Sequence, residues 1–90
     1  MKLGGGITLE GFEELEPAKF VVARKIIGIF AKKTSEAFGN LDSFTVAKTG
    51  NSIKVSAKAG ERTSEAFSED SNMFIALSRA LSEAADKAKA

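Results

Sequence analysis

Residues 61–81 read Glu61-Arg62-Thr63-Ser64-Glu65-Ala66-Phe67-Ser68-Glu69-Asp70-Ser71-Asn72-Met73-Phe74-Ile75-Ala76-Leu77-Ser78-Arg79-Ala80-Leu81. A short β-compatible run ends in a cluster of turn formers, and Asn72 then stands directly before a helical apolar pattern: Met73, Leu77, Ala80, Leu81 and Ala84. An Asn side chain at that point accepts from the free backbone N–H groups of a first helical turn, so it reads as an N-cap. The stretch is therefore a strand, a turn and a final helix running from Met73 to about Lys87. Ser78, Arg79, Ser82, Glu83 and Asp86 make the wet side of this helix, joined by Ile75. Lys87 and Lys89 suit the negative end of the helix dipole.

Moving toward the N-terminus, Gly60-Glu61 marks a turn, and Ser52 to Ala59 alternates without a fault. Ile53, Val55, Ala57 and Ala59 face a core, while Lys54, Ser56 and Lys58 face away, so one sheet face is buried and the other wet. Gly50-Asn51 is a hairpin turn signal, and Ser43 to Thr49 before it is rich in strand formers. Helix is the rival for the Arg62 to Phe67 strand, because Thr-Ser-Glu-Ala-Phe occurs twice, at 34–38 and 63–67, and the first copy continues a helical pattern. The flanks of the two copies do not repeat.

That helical pattern places Phe20, Ala23, Ile27, Phe30, Ala31, Thr34 and Phe38 on one face, widened by Ile26 and Ala37. Pro17 suits its first turn and Gly39-Asn40 its close, so the helix spans about Pro17 to Phe38. Lys25, Lys32 and Glu36 lie opposite the apolar face, with Lys33 at its border. Val22 and Ile29 also stand outside the stripe, seven residues apart. Ile7-Thr8-Leu9 with Phe12 reads as a first strand, and residues 1–6, with Gly4-Gly5-Gly6, as a flexible lead-in. The fold class that follows is α+β: a β-α-β-β-β-α order, a mostly antiparallel sheet and two helices packed on one of its faces, in a single domain over residues 1–90.

Chemistry is sparse. Ninety residues carry no Cys and no His, which removes thiolate and imidazole ligands, disulfides and the commonest general base. Carboxylate pairs at Glu13/Glu14 and Glu69/Asp70 sit beside helix starts, where acids are expected as dipole partners. No nucleophile elbow, phosphate loop or calcium loop is present. The expectation is a protein with no catalytic residues, no metal and no cofactor. The N-terminus lacks the apolar run of a signal peptide, and no stretch reaches membrane-span length, which leads to an expectation of a cytoplasmic protein without a membrane partner.

Net charge is +1, from 13 Lys and Arg against 12 Asp and Glu, but the signs are segregated along the chain. Lys25, Lys32 and Lys33 on the first helix, with Arg79 and Lys87 on the second, would form a basic surface if the helices are neighbours. The wet sheet face offers Lys54 and Lys58, with no aromatic residue alternating beside them, which argues against stacking of single-stranded bases. Val22, Ile29 and Ile75 on wet helix faces give a homodimer contact as an alternative. A small-ligand carrier using the seven Phe side chains is a second alternative, although filling the core is a sufficient use for them.

The run Ser68 to Leu77, within the β-α-β-β-β-α order, resembles the ribosome hibernation-promoting factor family, the ribosome-associated translation inhibitors in their short form. Asn72 stands for the helix cap of that family, Met73-Phe74 for its Met-aromatic pair, and Ala76-Leu77 for the small-aliphatic pair opening the final helix. The resemblance implies a double-stranded-RNA-binding-domain-like fold and a non-enzymatic role on the small ribosomal subunit, in contact with ribosomal RNA. Carried over by position, the RNA contacts would fall on Lys25, Lys32, Lys33, Arg79 and Lys87.

Overall fold

The computed structural model describes residues 2–4 and 6–89. The elements in chain order are β1 (Lys2–Gly4), β2 (Ile7–Glu10), α1 (Pro17–Phe38), β3 (Ser43–Thr49), β4 (Ser52–Ala59), β5 (Arg62–Glu69) and α2 (Met73–Lys89). The strands lie side by side in chain order. β2 and β3 pair in parallel, and the other joins are antiparallel. A parallel join needs a crossover, and α1 supplies it. From β2 onward this is the β-α-β-β-β-α order read from the sequence, with both helices on one face of a mixed sheet.

The N-terminus differs from the expected flexible lead. Met1 and Gly5 lie outside the described residues, but Lys2–Gly4 forms β1, with Lys2 opposite Thr8 and Gly4 opposite Ile7. Gly6 adopts φ +81°, and its carbonyl accepts from the Phe44 N–H at 2.9 Å, so the bend ahead of β2 is tied to β3. A glycine run read as slack is in part an edge strand. The first core strand also ends earlier than Phe12. Gly11 takes φ +78°, and a Cβ there would collide with the Lys48 carbonyl oxygen, so the bend requires glycine. The bend drops Phe12 into the core, almost fully buried.

Pro17 opens α1 with its preset φ, and the Phe20 N–H donates to the Glu16 carbonyl at 2.9 Å. The helix closes at Gly39, in the left-handed conformation. Asn72 caps α2 as its position predicts: its Oδ1 accepts from the Phe74 N–H at 2.9 Å, while Asp70 Oδ1 accepts from the Asn72 N–H at 2.9 Å. One cluster of buried side chains joins Leu9, Phe44, Val46, Ile53 and Val55 of the sheet to Ala23, Ile27 and Ala31 of α1 and Leu77, Ala80 and Leu81 of α2. Phe20, Phe30 and Phe38 pack against that cluster but are only partly buried. Gly28, in the middle of α1, is exposed, and a Cβ there would meet nothing within 4 Å. It costs the helix about 1 kcal/mol relative to Ala, and no contact among the described residues accounts for it.

β5 reverses the usual sorting of side chains. Ser64, Ala66 and Ser68 face inward and are buried, whereas Phe67 is 61% exposed. Small inward residues let the alanine-lined face of α2 lie close to the strand. Ser64 Oγ donates to the Ala84 carbonyl at 2.6 Å, and Ser68 Oγ is buried without a hydrogen-bond partner. Phe67 stands directly opposite Lys54 on the wet face. The expectation that no aromatic accompanies the sheet lysines is thereby corrected: tight packing of α2 takes the inward positions for small residues and leaves the ring outside.

The repeated pentapeptide has two structures. Residues 34–38 end α1, where buried Thr34 donates its Oγ1 proton to the Phe30 carbonyl at 2.8 Å. Residues 63–67 lie within β5, where Thr63 is exposed. Environment, not the five residues, decides between them.

Candidate nucleic-acid interface

All five basic residues singled out in the sequence are exposed. Helical spacing turns Lys25 and Lys32 away from the Ala23-Ile27-Ala31-Thr34 stripe that α1 buries, and sets Lys33 at its edge. Lys33 Nζ lies 5.1 Å from the centre of the Phe30 ring, a cation–π contact that orders the side chain and leaves its charge at the surface. Arg24 is exposed on the same helix.

The second helix differs. Arg79 lies 3.6 Å from Asp70, the residue that also supports the α2 cap. Lys87 lies 3.1 Å from Glu83 and donates to the Glu65 carbonyl of β5 at 2.9 Å. It shares a hollow with Lys54, Glu65, Phe67 and Glu83 along the β5 side of α2, while Lys89 shares another with Lys33, Glu36 and Ala37 between the helices. The structure thus keeps Lys25, Lys32 and Lys33 together on α1 and directs Lys87 toward β5. Among the described residues, no carboxylate lies within 4.0 Å of the Arg24, Lys25, Lys32 or Lys33 cations. A cation with no internal partner gives up no ion pair when it meets a phosphate; Arg79 and Lys87 do.

The sheet lysines are likewise divided. Lys54 lies 4.0 Å from Glu65 across the strands, and Lys58 has no ion-pair partner among the described residues. Arg62, at the start of β5, donates to the Ala88 carbonyl at 3.0 Å and lies 4.7 Å from the Phe38 ring centre, so it fastens the ends of both helices. Glu69 accepts from Ser52 Oγ at 2.6 Å, and Asp70 is used by the cap and Arg79, so this carboxylate pair has structural work. Among the described residues, no group of three acidic side chains is placed to hold a metal ion, and no helix is long and apolar enough to cross a membrane. A hollow of about 570 Å³ opens beside the start of α2, floored by Leu15, Met73 and Phe74 and rimmed by Lys19 and Lys48. Val22, Ile29 and Ile75 are 48%, 57% and 45% exposed, as their wet-face positions predict.

These features define a small α+β protein of β-α-β-β-β-α order, whose first helix carries a group of basic residues without ion-pair partners among the described residues. The same fold is found in the crystal structure of the Thermus thermophilus Protein Y N-terminal domain: the TM-score is 0.63 over 92% of each chain, at 11% sequence identity. At that identity the likeness is one of fold. No protein-family model and no curated protein matches the sequence.

Proposed function

We propose that this chain is a non-enzymatic, RNA-contacting protein that associates with the ribosome on its small subunit, acting in the manner of a translation inhibitor or hibernation factor. One observation carries the reading: α1 presents Lys25, Lys32 and Lys33 at the surface with no carboxylate partner among the described residues. Free ammonium groups on a rigid helix are what a phosphate backbone requires of a protein that binds by charge. The resemblance of residues 68–77 to the hibernation-promoting family, and the fold shared with the Protein Y domain, support the choice of the ribosome as the RNA. Arg79 and Lys87 join the contact only by leaving Asp70 and Glu83. Sedimentation with ribosomes through sucrose at two salt concentrations tests the reading. Co-sedimentation is expected at low salt and weakens as salt rises. Absence from the ribosomal fractions at low salt removes the proposal.

The exposure of Ile29, Val22 and Ile75 favours a second reading, a homodimer through the outer faces of the two helices. Sizing across a wide concentration range should then show a shift toward twice the monomer mass, and a strictly monomeric species at high concentration rules it out.

A further inference from the structure

A glycine in the middle of an exposed helix is a cost without a visible return, and Gly28 is such a residue: exposed, with nothing within 4 Å of the position its Cβ would take. The same positions would admit alanine or a larger residue, with a gain in helix propensity. What glycine offers instead is a bare stretch of helix backbone that another molecule can approach closely. The surroundings identify the chemistry of that molecule. Lys25 lies three residues before Gly28 and Lys32 four residues after it, so the two ammonium groups stand one turn to either side. A hollow of about 310 Å³ beside Gly28 is lined by Lys32, Ser35 and Asn40 over a floor of Ala31, Ile7 and Leu41. Asn40 Oδ1 accepts from the Leu41 N–H at 2.9 Å, which leaves the side-chain NH2 to donate outward. Among the described residues, no carboxylate lines this hollow. Its polar groups are an ammonium, an amide donor and a hydroxyl, a set that suits an anion.

We infer that a single phosphodiester strand of RNA crosses α1 at Gly28, seated against the bare helix backbone and held by Lys25 and Lys32, with Ser35 and Asn40 donating to its oxygens. This rests on the reading of the chain as an RNA-contacting, ribosome-associated protein, and adds where and how the strand lies. Gly28 is the feature that separates a seated strand from a diffuse basic patch, since a patch is indifferent to a side chain between its lysines.

The test is the affinity of small ribosomal subunits for the wild-type protein, Gly28→Ala and Gly28→Gln, with the melting temperature of each. Both variants should melt above the wild type, because a helix former replaces glycine in open space. Affinity should nevertheless fall, about threefold for Ala and tenfold or more for Gln at about 50 mM salt, with the gap narrowing near 200 mM because the lost contacts are ionic. If the wild type binds and both variants bind equally well, no strand is seated at Gly28, while the ribosome reading stands. A wild type that fails to bind at both salt concentrations overturns that reading and this inference together. A Gln variant whose loss is the same at both salt concentrations puts a protein surface, not a phosphate, against the helix and overturns the inference. Should the Gln variant fail to fold, Gly28→Ala decides, since it adds one methyl group; unchanged affinity in that variant overturns the inference.

Discussion

Replacing Lys25, Lys32 and Lys33 together by Glu is expected to abolish ribosome binding at moderate salt and to leave the fold in place. All three side chains are exposed on α1, and none has a carboxylate within 4.0 Å among the described residues. Surface changes of this kind shift stability by less than about 0.5 kcal/mol each. The exchange reverses three charges and turns an attractive helix face repulsive to phosphate, for a loss of affinity on the order of a hundredfold or more at low salt. Circular dichroism and ribosome sedimentation on the same preparation separate the two effects. A folded variant that still co-sediments at full strength refutes α1 as the contact, and an unfolded one shows that these lysines hold the helix in place.

Phe44→Ala should do the reverse. Phe44 is fully buried in β3, beside Ile7 in the parallel join and Ala57 in the antiparallel one, so its ring sits where the two kinds of pairing meet. Emptying that position is expected to cost roughly 3–5 kcal/mol, against a total of about 5–15 kcal/mol for a typical domain. Phe30→Ala should cost clearly less, because that ring is only partly buried, with Lys33 over it. Urea denaturation of the pair checks the ordering. Equal losses would mean that the two rings share one degree of burial, contrary to the packing.

Local chemistry carried most of the fold. The bounds of α1 follow from Pro17 and Gly39, the hairpin from Gly50-Asn51, and the α2 start from Asn72, because each is a backbone device acting over a few residues. The parts that were not legible depend on partners distant in the chain. β1 exists because Lys2–Gly4 finds an edge to pair with, which a glycine-rich composition does not announce. The outward Phe67 and inward Ser64 contradict hydrophobic sorting, and only the approach of α2 explains them. The pentapeptide shared by α1 and β5 makes the same point: Thr34 is buried against helix backbone, whereas Thr63 lies on an open strand.

The candidate site divides in the same way. Exposure of Lys25, Lys32 and Lys33 follows from helical periodicity alone. The engagement of Lys87 does not, because its Nζ reaches a carbonyl twenty-two residues earlier in the chain. Gly28 had a signal in the sequence, a glycine between two lysines inside a helical pattern, but its meaning depends on knowing that the space around it is open.

The grip of Lys87 on Glu65 also bears on how the protein behaves in a crowded solution. β5 is the last strand of its sheet and eight residues long, so among the described residues one flank of its backbone has no strand beside it. Such a flank is a template on which other chains add as further strands, edge to edge, the first step of aggregation. Lys87 occupies one of its carbonyls, and the exposed Glu65 and Glu69 add charge that repels a second copy. The residue that guards the strand is therefore one that a basic surface would also claim. Loss of the Lys87 contact would free that carbonyl on the open flank of β5 and leave the strand's protection to its charged side chains.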